Sequence, residues 1–147
     1  MSDTAQPGQA ITVDAIGAPG SRVFYFQAQA ASGELQTLIL EKTQAMMLAE
    51  QIDDLLNELS AHDPALSPGA PMDVPALREP ETVMFRAGHF ALQYSTEADV
   101  IGLEISELRG IDQGTPRLLC VWATRPQLRA LAEHARRIAR SGVASTV

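Results

Sequence analysis

The sequence predicts an α+β domain: a mostly antiparallel sheet carrying two similar helices, made from a strands-then-helix unit used twice. Three observations predict it. Short apolar runs with strand alternation precede two stretches of helical period. The stretch from Gln44, Gln-Ala-Met-Met-Leu-Ala-Glu-Gln-Ile, has a counterpart from Gln127, Gln-Leu-Arg-Ala-Leu-Ala-Glu-His-Ala. Between them, residues 61–81 hold five of the nine prolines, so this connector forms neither regular helix nor central strand. Two helices covering one face of such a sheet is the simplest way to bury these runs.

The elements follow in order. Residues 1–10 read as a mobile tail. Ile11 to Ala15 is a short strand, closed by the turn signal Gly17-Ala-Pro-Gly20. Arg22 to Gln29 sets Val23 and Tyr25 against Phe24 and Phe26, a strand buried on both sides. A hairpin turn at Gly33 leads into Leu35–Glu41. From Thr43 to Ser60, Ala45, Leu48, Ala49, Ile52, Leu55, Leu56 and Leu59 keep the spacing of one helix face. After the connector come Val83–Arg86, a turn at Ala87-Gly88, and the strand His89–Tyr94, whose Phe90-Ala-Leu-Gln echoes Phe24-Tyr-Phe-Gln. A turn at Thr96–Asp99, a strand Val100–Leu108, a loop from Gly110 to Pro116 and a strand Arg117–Ala123 complete the sheet. Thr124-Arg-Pro-Gln127 has the form of a capping box, with proline tolerated in the first turn. The second helix has the stripe Leu128, Leu131, Ala132, Ala135, Ile138 and Ala139, and Gly142 is its expected stop. This stripe repeats the first at one constant offset, Ala45 with Leu128 and Ile52 with Ala135. The expected organisation is one domain over 11–142, with halves 11–60 and 82–142 and a second short tail at 143–147.

Size and charge bound the function. A chain of 147 residues suits one domain and buries about two thirds of its unfolded surface. With 46% apolar and 20% charged residues the composition is that of an ordinary globular protein. No apolar run approaches the ~18 residues of a membrane span, and the N-terminus lacks the basic start and apolar stretch of a secretory signal. The single Cys120 makes neither an internal disulfide nor a cysteine zinc cluster. A cytoplasmic protein without a membrane role is expected. The net charge of −7 opposes a generic nucleic-acid binder. That charge is polarised: residues 1–74 hold two basic and ten acidic side chains, residues 75–147 nine basic and eight acidic.

No catalytic signature stands out, and no cofactor is expected. Cys120 lies in an apolar strand, a poor setting for a thiolate. His62, His89 and His134 lack paired ligand spacing, so no metal site is expected; His134 reads as a surface side chain. Two function classes stay open. In the first, the protein binds another protein, or itself, through charged helix faces: Glu50, Asp53, Asp54 and Glu58 make the first helix acidic, and Arg129, Arg136, Arg137 and Arg140 make the second basic. If the helices are neighbours, these charges pair across the seam instead. In the second class, Gly17 and Gly20 turn backbone amides toward an anion that Arg22 clamps, with Glu41 and Lys42 at the strand-to-helix junction. That arrangement suits a small molecule or phosphate, and an enzyme that uses one.

The residues also carry a family resemblance. Gly17-Ala-Pro-Gly-Ser-Arg-Val-Phe-Tyr-Phe-Gln-Ala, then Leu40-Glu-Lys-Thr-Gln and Leu48-Ala-Glu-Gln-Ile-Asp-Asp-Leu-Leu, resemble the actinobacterial domain-of-unknown-function 3090 family. Phe85-Arg-Ala-Gly and the closing Gln-Leu-Arg-Ala-Leu-Ala-Glu helix are similar in the second half. The resemblance spans most of 11–142 outside the connector and implies no catalytic residues. Members of the family continue into a tail with a Cys-x-x-Cys pair that looks zinc-binding. The sequence here closes on Arg140-Ser-Gly-Val-Ala-Ser-Thr-Val147 without those cysteines, so the body of the domain is expected to carry the function.

Overall fold

The computed structural model describes residues 10–18, 20–30, 32–69 and 72–144. Two three-stranded meanders, each running into a helix, make one six-stranded sheet with its strands in chain order. The first comprises β1 (Ala10–Ile16), β2 (Val23–Gln29) and β3 (Leu35–Leu40), followed by α1 (Lys42–His62). The second comprises β4 (Phe85–Ser95), β5 (Val100–Glu107) and β6 (Leu118–Ala123), followed by α2 (Arg125–Ala144). All neighbours pair antiparallel except β3 and β4, which run parallel. That parallel seam needs a long crossover, and α1 with the connector supplies it. The mostly antiparallel α+β architecture expected from the sequence is therefore the observed one.

The pleat explains the core. Val13, Phe26 and Leu38 face one another across the first meander, and Leu103 and Val121 across the second. All are fully buried beneath the helices. From α1, Ala45, Leu48, Ala49, Ile52 and Leu56 point inward, as their spacing requires; from α2, Leu128, Leu131, Ala132, Ala135 and Ala139 do the same. Each helix has a Gln at its third position that bonds back to its cap. Gln44 Oε1 accepts from the Glu41 amide at 2.7 Å and Gln127 Oε1 from the Thr124 amide at 2.9 Å, while Thr124 Oγ1 accepts from the Gln127 amide at 3.1 Å. The capping box at Thr124 is thus present as expected.

Several expectations are corrected. The turn expected at Ala87-Gly88 is a β-bulge inside one long strand, β4; Gln44 Nε2 fills it by donating to Ala87 O at 2.9 Å. A Cβ on Gly88 would sit about 3.0 Å from the Leu108 backbone, which explains the glycine. Gly142 does not stop α2, which continues to Ala144. Of the residues expected in tails, Ala10 opens β1 and 143–144 belong to α2, while 1–9 and 145–147 lie outside the described residues. Cys120 is exposed on the sheet face away from the helices, and its partial burial together with Glu104 raises its thiol pKa. His134 is no open surface residue. It is half-buried against β1, 3.9 Å from Asp14, and burial lowers its pKa.

The connector is a strap on the far side of the sheet. Its described residues beyond α1 form one turn of 3-10 helix (Pro64–Leu66) and otherwise irregular backbone, and residues 72–84 cross the outer face of the first meander. There Thr12, Gln27 and Thr37 face one another and are buried despite being polar. Gln27 explains why: its Oε1 accepts from the Arg78 amide at 2.8 Å, and its Nε2 donates to Arg78 O at 2.9 Å and Thr37 Oγ1 at 3.2 Å. Burial of β2 on both sides, as the alternation suggested, holds at Gln27, whereas Val23 stays exposed.

Two ion-pair knots fix the ends of the second meander. Asp99, in a turn with φ +52°, takes both Nε and Nη2 of Arg125 at 2.9 and 2.8 Å and the Tyr94 hydroxyl at 2.8 Å. The Arg125 guanidinium lowers the Asp99 pKa. At the other end, Glu107 accepts from Arg117 at 2.9 Å and from Arg109 at 2.7 Å, which together hold its carboxyl down at about 2. A depressed carboxylate contributes stability that is present above its ordinary value of 4.5 and is lost as pH falls toward 2. The thermal midpoint of the native protein should therefore exceed that of Glu107→Gln at neutral pH, and the gap should close between these two values. A gap that stays constant across acid titration would remove Glu107 from the pH response.

Candidate functional site

The helices lie side by side and antiparallel. Arg136, in the middle of α2, forms an ion pair with Asp53 in the middle of α1, and Arg125 at the start of α2 reaches Ser67 O just past the end of α1. Small residues on α2 (Ala132, Ala135, Ala139) allow this close approach. Above the contact runs an open groove of about 540 Å³, lined by Thr43, Met46, Met47, Glu50, Asp53, Asp54, Arg136 and Arg140. Met46 and Met47 are 42% and 47% exposed in its floor and wall.

Five of the charged helix residues singled out from sequence thus meet here: Glu50, Asp53, Asp54, Arg136 and Arg140. Asp53 and Arg136 are used in holding the helices together. Glu50, Asp54 and Arg140 make no ion pair among the described residues. The others stand elsewhere. Glu58 is exposed on α1, Arg129 pairs with Glu133 one turn on at 3.0 Å, and Arg137 meets His134 Nδ1 at 3.2 Å. Sequence reasoning missed Met46 and Met47. Their signal was available, because Met46, Glu50, Asp53 and Asp54 share a helix face, away from the apolar stripe.

The residues proposed for anion binding lie at one end of the first meander, where Phe24 pairs with Leu40, and the side chains of Arg22 and Glu41 are engaged by other elements. Gly17 and Gly20 take positive φ in the β1–β2 turn, as a tight turn demands. Arg22 beside them is held by α2: Nη1 donates to Ser141 Oγ at 3.0 Å, Nη2 to Ile138 O at 3.0 Å, and the guanidinium lies 5.0 Å from the Phe24 ring centroid. These contacts tie the β1–β2 turn to the C-terminal part of α2. Glu41 pairs with Arg86 of β4 at 3.1 Å, both side chains largely exposed. Lys42 opens α1.

A second concavity lies under the strap. A cleft of about 400 Å³ is lined by Gly33, Leu35, Thr37, Arg78, Glu79, Glu81 and Thr82. It adjoins a cavity of about 60 Å³ that shares Leu35 and Arg78 and includes Thr12 and Gln27. Thr12 Oγ1 is buried there without a hydrogen-bond partner, and the cavity has room for water to satisfy it. The Arg78 side chain makes no ion pair among the described residues. Among those residues no group of three or more His, Cys, Asp or Glu side chains is placed to hold a metal ion, and no helix is long and apolar enough to cross a membrane.

The sheet, its two helices and a groove of mixed charge define a class of domain rather than a reaction. The family model described as "Protein of unknown function (DUF3090)" matches residues 5–146, and the chain belongs to that family. No curated protein matches it.

Proposed function

We propose that the chain is a non-catalytic protein-binding domain of the cytoplasm, and that its α1–α2 groove receives a partner presenting an apolar side chain flanked by basic groups. The observation that carries this reading is the pair Met46 and Met47, left half-exposed in a groove rimmed by unpaired carboxylates. Methionine is flexible and polarisable, so it adapts to an incoming surface. Glu50 and Asp54 set the sign of the partner and speed its approach more than they tighten the complex. A reducing compartment suits the lone, exposed Cys120. We also read the strand–helix units as duplicated. Leu35 and Leu118 open the strands and Lys42 and Arg125 the helices at the constant offset of the apolar stripes. The parallel β3–β4 seam makes such a duplication head-to-tail.

The test is capture from extract of the source cells with tagged native protein and with a variant carrying Met46→Lys, Met47→Lys and Glu50→Lys. The partner should be stoichiometric, weakened by salt, and bound at least about tenfold less by the variant, the effect of losing about 1.4 kcal/mol or more of contact. All three side chains are exposed, so thermal stability should hardly change. A partner retained equally by the folded variant excludes the groove.

A second reading, small-molecule binding, is favoured by one observation, the strap cleft. Its unpaired Arg78 and buried Thr12 hydroxyl suit a small polar anion better than Arg22, which α2 occupies.

A further inference from the structure

Beneath the strap, the outer face of the first meander is polar where it is most buried. Thr12, Gln27 and Thr37 stand side by side on β1, β2 and β3. Buried polar side chains are ordinarily paired. Gln27 obeys this, bonded to Thr37 and to the strap. Thr12 does not: it is 3% exposed, and its Oγ1 has no partner. That hydroxyl lies in the inner cavity of about 60 Å³. Such a space holds about two waters, and hence one carboxylate group.

Charge is set beside that cavity without being neutralised. Arg78 lines both the cavity and the larger cleft of about 400 Å³, and Glu79 and Glu81 line the cleft. None of the three forms an ion pair among the described residues, close as they are in sequence. The backbone is what holds them. Gln27 Oε1 accepts from the Arg78 amide at 2.8 Å and Gln27 Nε2 donates to Arg78 O at 2.9 Å. Arg78 is thereby anchored where the two spaces meet, with its guanidinium left unpaired. One cation and two carboxylates give the cleft a net negative charge, and the whole chain carries −7. That field opposes a free anion even where Arg78 attracts it, but not a ligand that carries both signs.

We propose, resting on the small-molecule reading of this cleft, that it binds a free amino acid. The α-carboxylate enters the inner cavity between the Thr12 hydroxyl and the Arg78 guanidinium, and the ammonium group meets Glu79 and Glu81. A carboxylate accepts charge-assisted hydrogen bonds from both donors, so the orphan hydroxyl gains the partner that the protein does not give it. The ammonium cancels the excess of carboxylates in the cleft. Size agrees, because about 400 Å³ is the scale of a small-ligand site. It leaves space for an amino-acid side chain beside Leu35, Thr37 and Thr82.

Calorimetric titration of the full chain tests this. Glycine, L-alanine, L-glutamine and L-phenylalanine serve as zwitterions, and acetate and methylammonium as the separated halves. At least one amino acid should bind once per chain with a dissociation constant of about 1 mM or below, and about tenfold or more tighter than either half. Arg78→Gln removes the cation but keeps the backbone bonds to Gln27, and Thr12→Val removes the hydroxyl at nearly constant volume. Each should weaken amino-acid binding about tenfold or more. The thermal midpoint of Thr12→Val should not fall, because that hydroxyl bonds nothing in the protein. Its loss of binding is then not a loss of structure. Acetate held as tightly as the best amino acid overturns the proposal and leaves the small-anion reading standing. Absence of binding by every probe at about 10 mM overturns both. Amino-acid binding that either variant leaves unchanged puts the ligand elsewhere and overturns the proposal as well.

Discussion

Replacing Phe26 with Ala is expected to cost about 3–5 kcal/mol, a large part of the stability of a domain this size. Phe26 is fully buried on the central strand of the first meander, facing Val13 on one side and Leu38 on the other, themselves fully buried. The ring fills space between the sheet and the helices, and neighbours held on three strands cannot close over the vacancy. The cost thus combines lost transfer energy with an uncollapsed cavity. Val23→Ala is the control. Val23 lies on the same strand but is 39% exposed on the other face, so its loss should change stability by less than about 1 kcal/mol. Chemical denaturation of both variants measures the difference. Equal, small effects would mean that the first meander is loosely packed and that the core lies in the second half.

The contrast between Phe26 and its neighbours shows what was legible in the sequence. Helix faces and strand order of type followed from apolar spacing, because burial under one layer imposes a single period. The faces of β2 were harder. Alternation of Val23, Phe24, Tyr25 and Phe26 says only that both sides are apolar, and nothing local reveals that a distant proline-rich strap covers one of them at Gln27. Gly88 misled for a related reason. A glycine between polar and apolar residues signals a turn locally, but here it admits a bulge packed on Leu108 and bonded by Gln44, contacts that exist only once β4 has joined β3 and β5. Arg22 is the same lesson at the candidate site. Beside two glycines it reads as an anion clamp, whereas its two hydrogen bonds run to the far end of the chain. The acidic and basic helices were visible as charges, but whether they face each other depended on the antiparallel packing that unites Asp53 with Arg136.

The strap gives the second large effect, and its size is local. Gln27→Leu keeps the side-chain volume of a buried position but removes an acceptor for the Arg78 amide and a donor for Arg78 O and Thr37 Oγ1. Each bond is worth about 1 kcal/mol net, with a further penalty where a buried group is left unpaired. A global loss of about 1–3 kcal/mol is expected. The more telling change is in the connector, whose residues 72–80 are irregular and are bonded to the sheet through Gln27. Amide exchange at Arg78 should lose most of its protection, and residues 72–80 should become cleavable by protease while the helices keep their protection. Met84 serves as the internal reference, since its amide donates independently to Thr37 O at 2.8 Å and should stay protected in the variant. If Arg78 remains protected when Gln27 is lost, the strap is held by apolar contact alone. If Arg78 and Met84 open together, the strap and the outer face of β3 form one cooperative unit. Either result bears on the cleft, because Arg78 lines both of its parts, and a ligand seated there would be gated by the bonds that Gln27 makes.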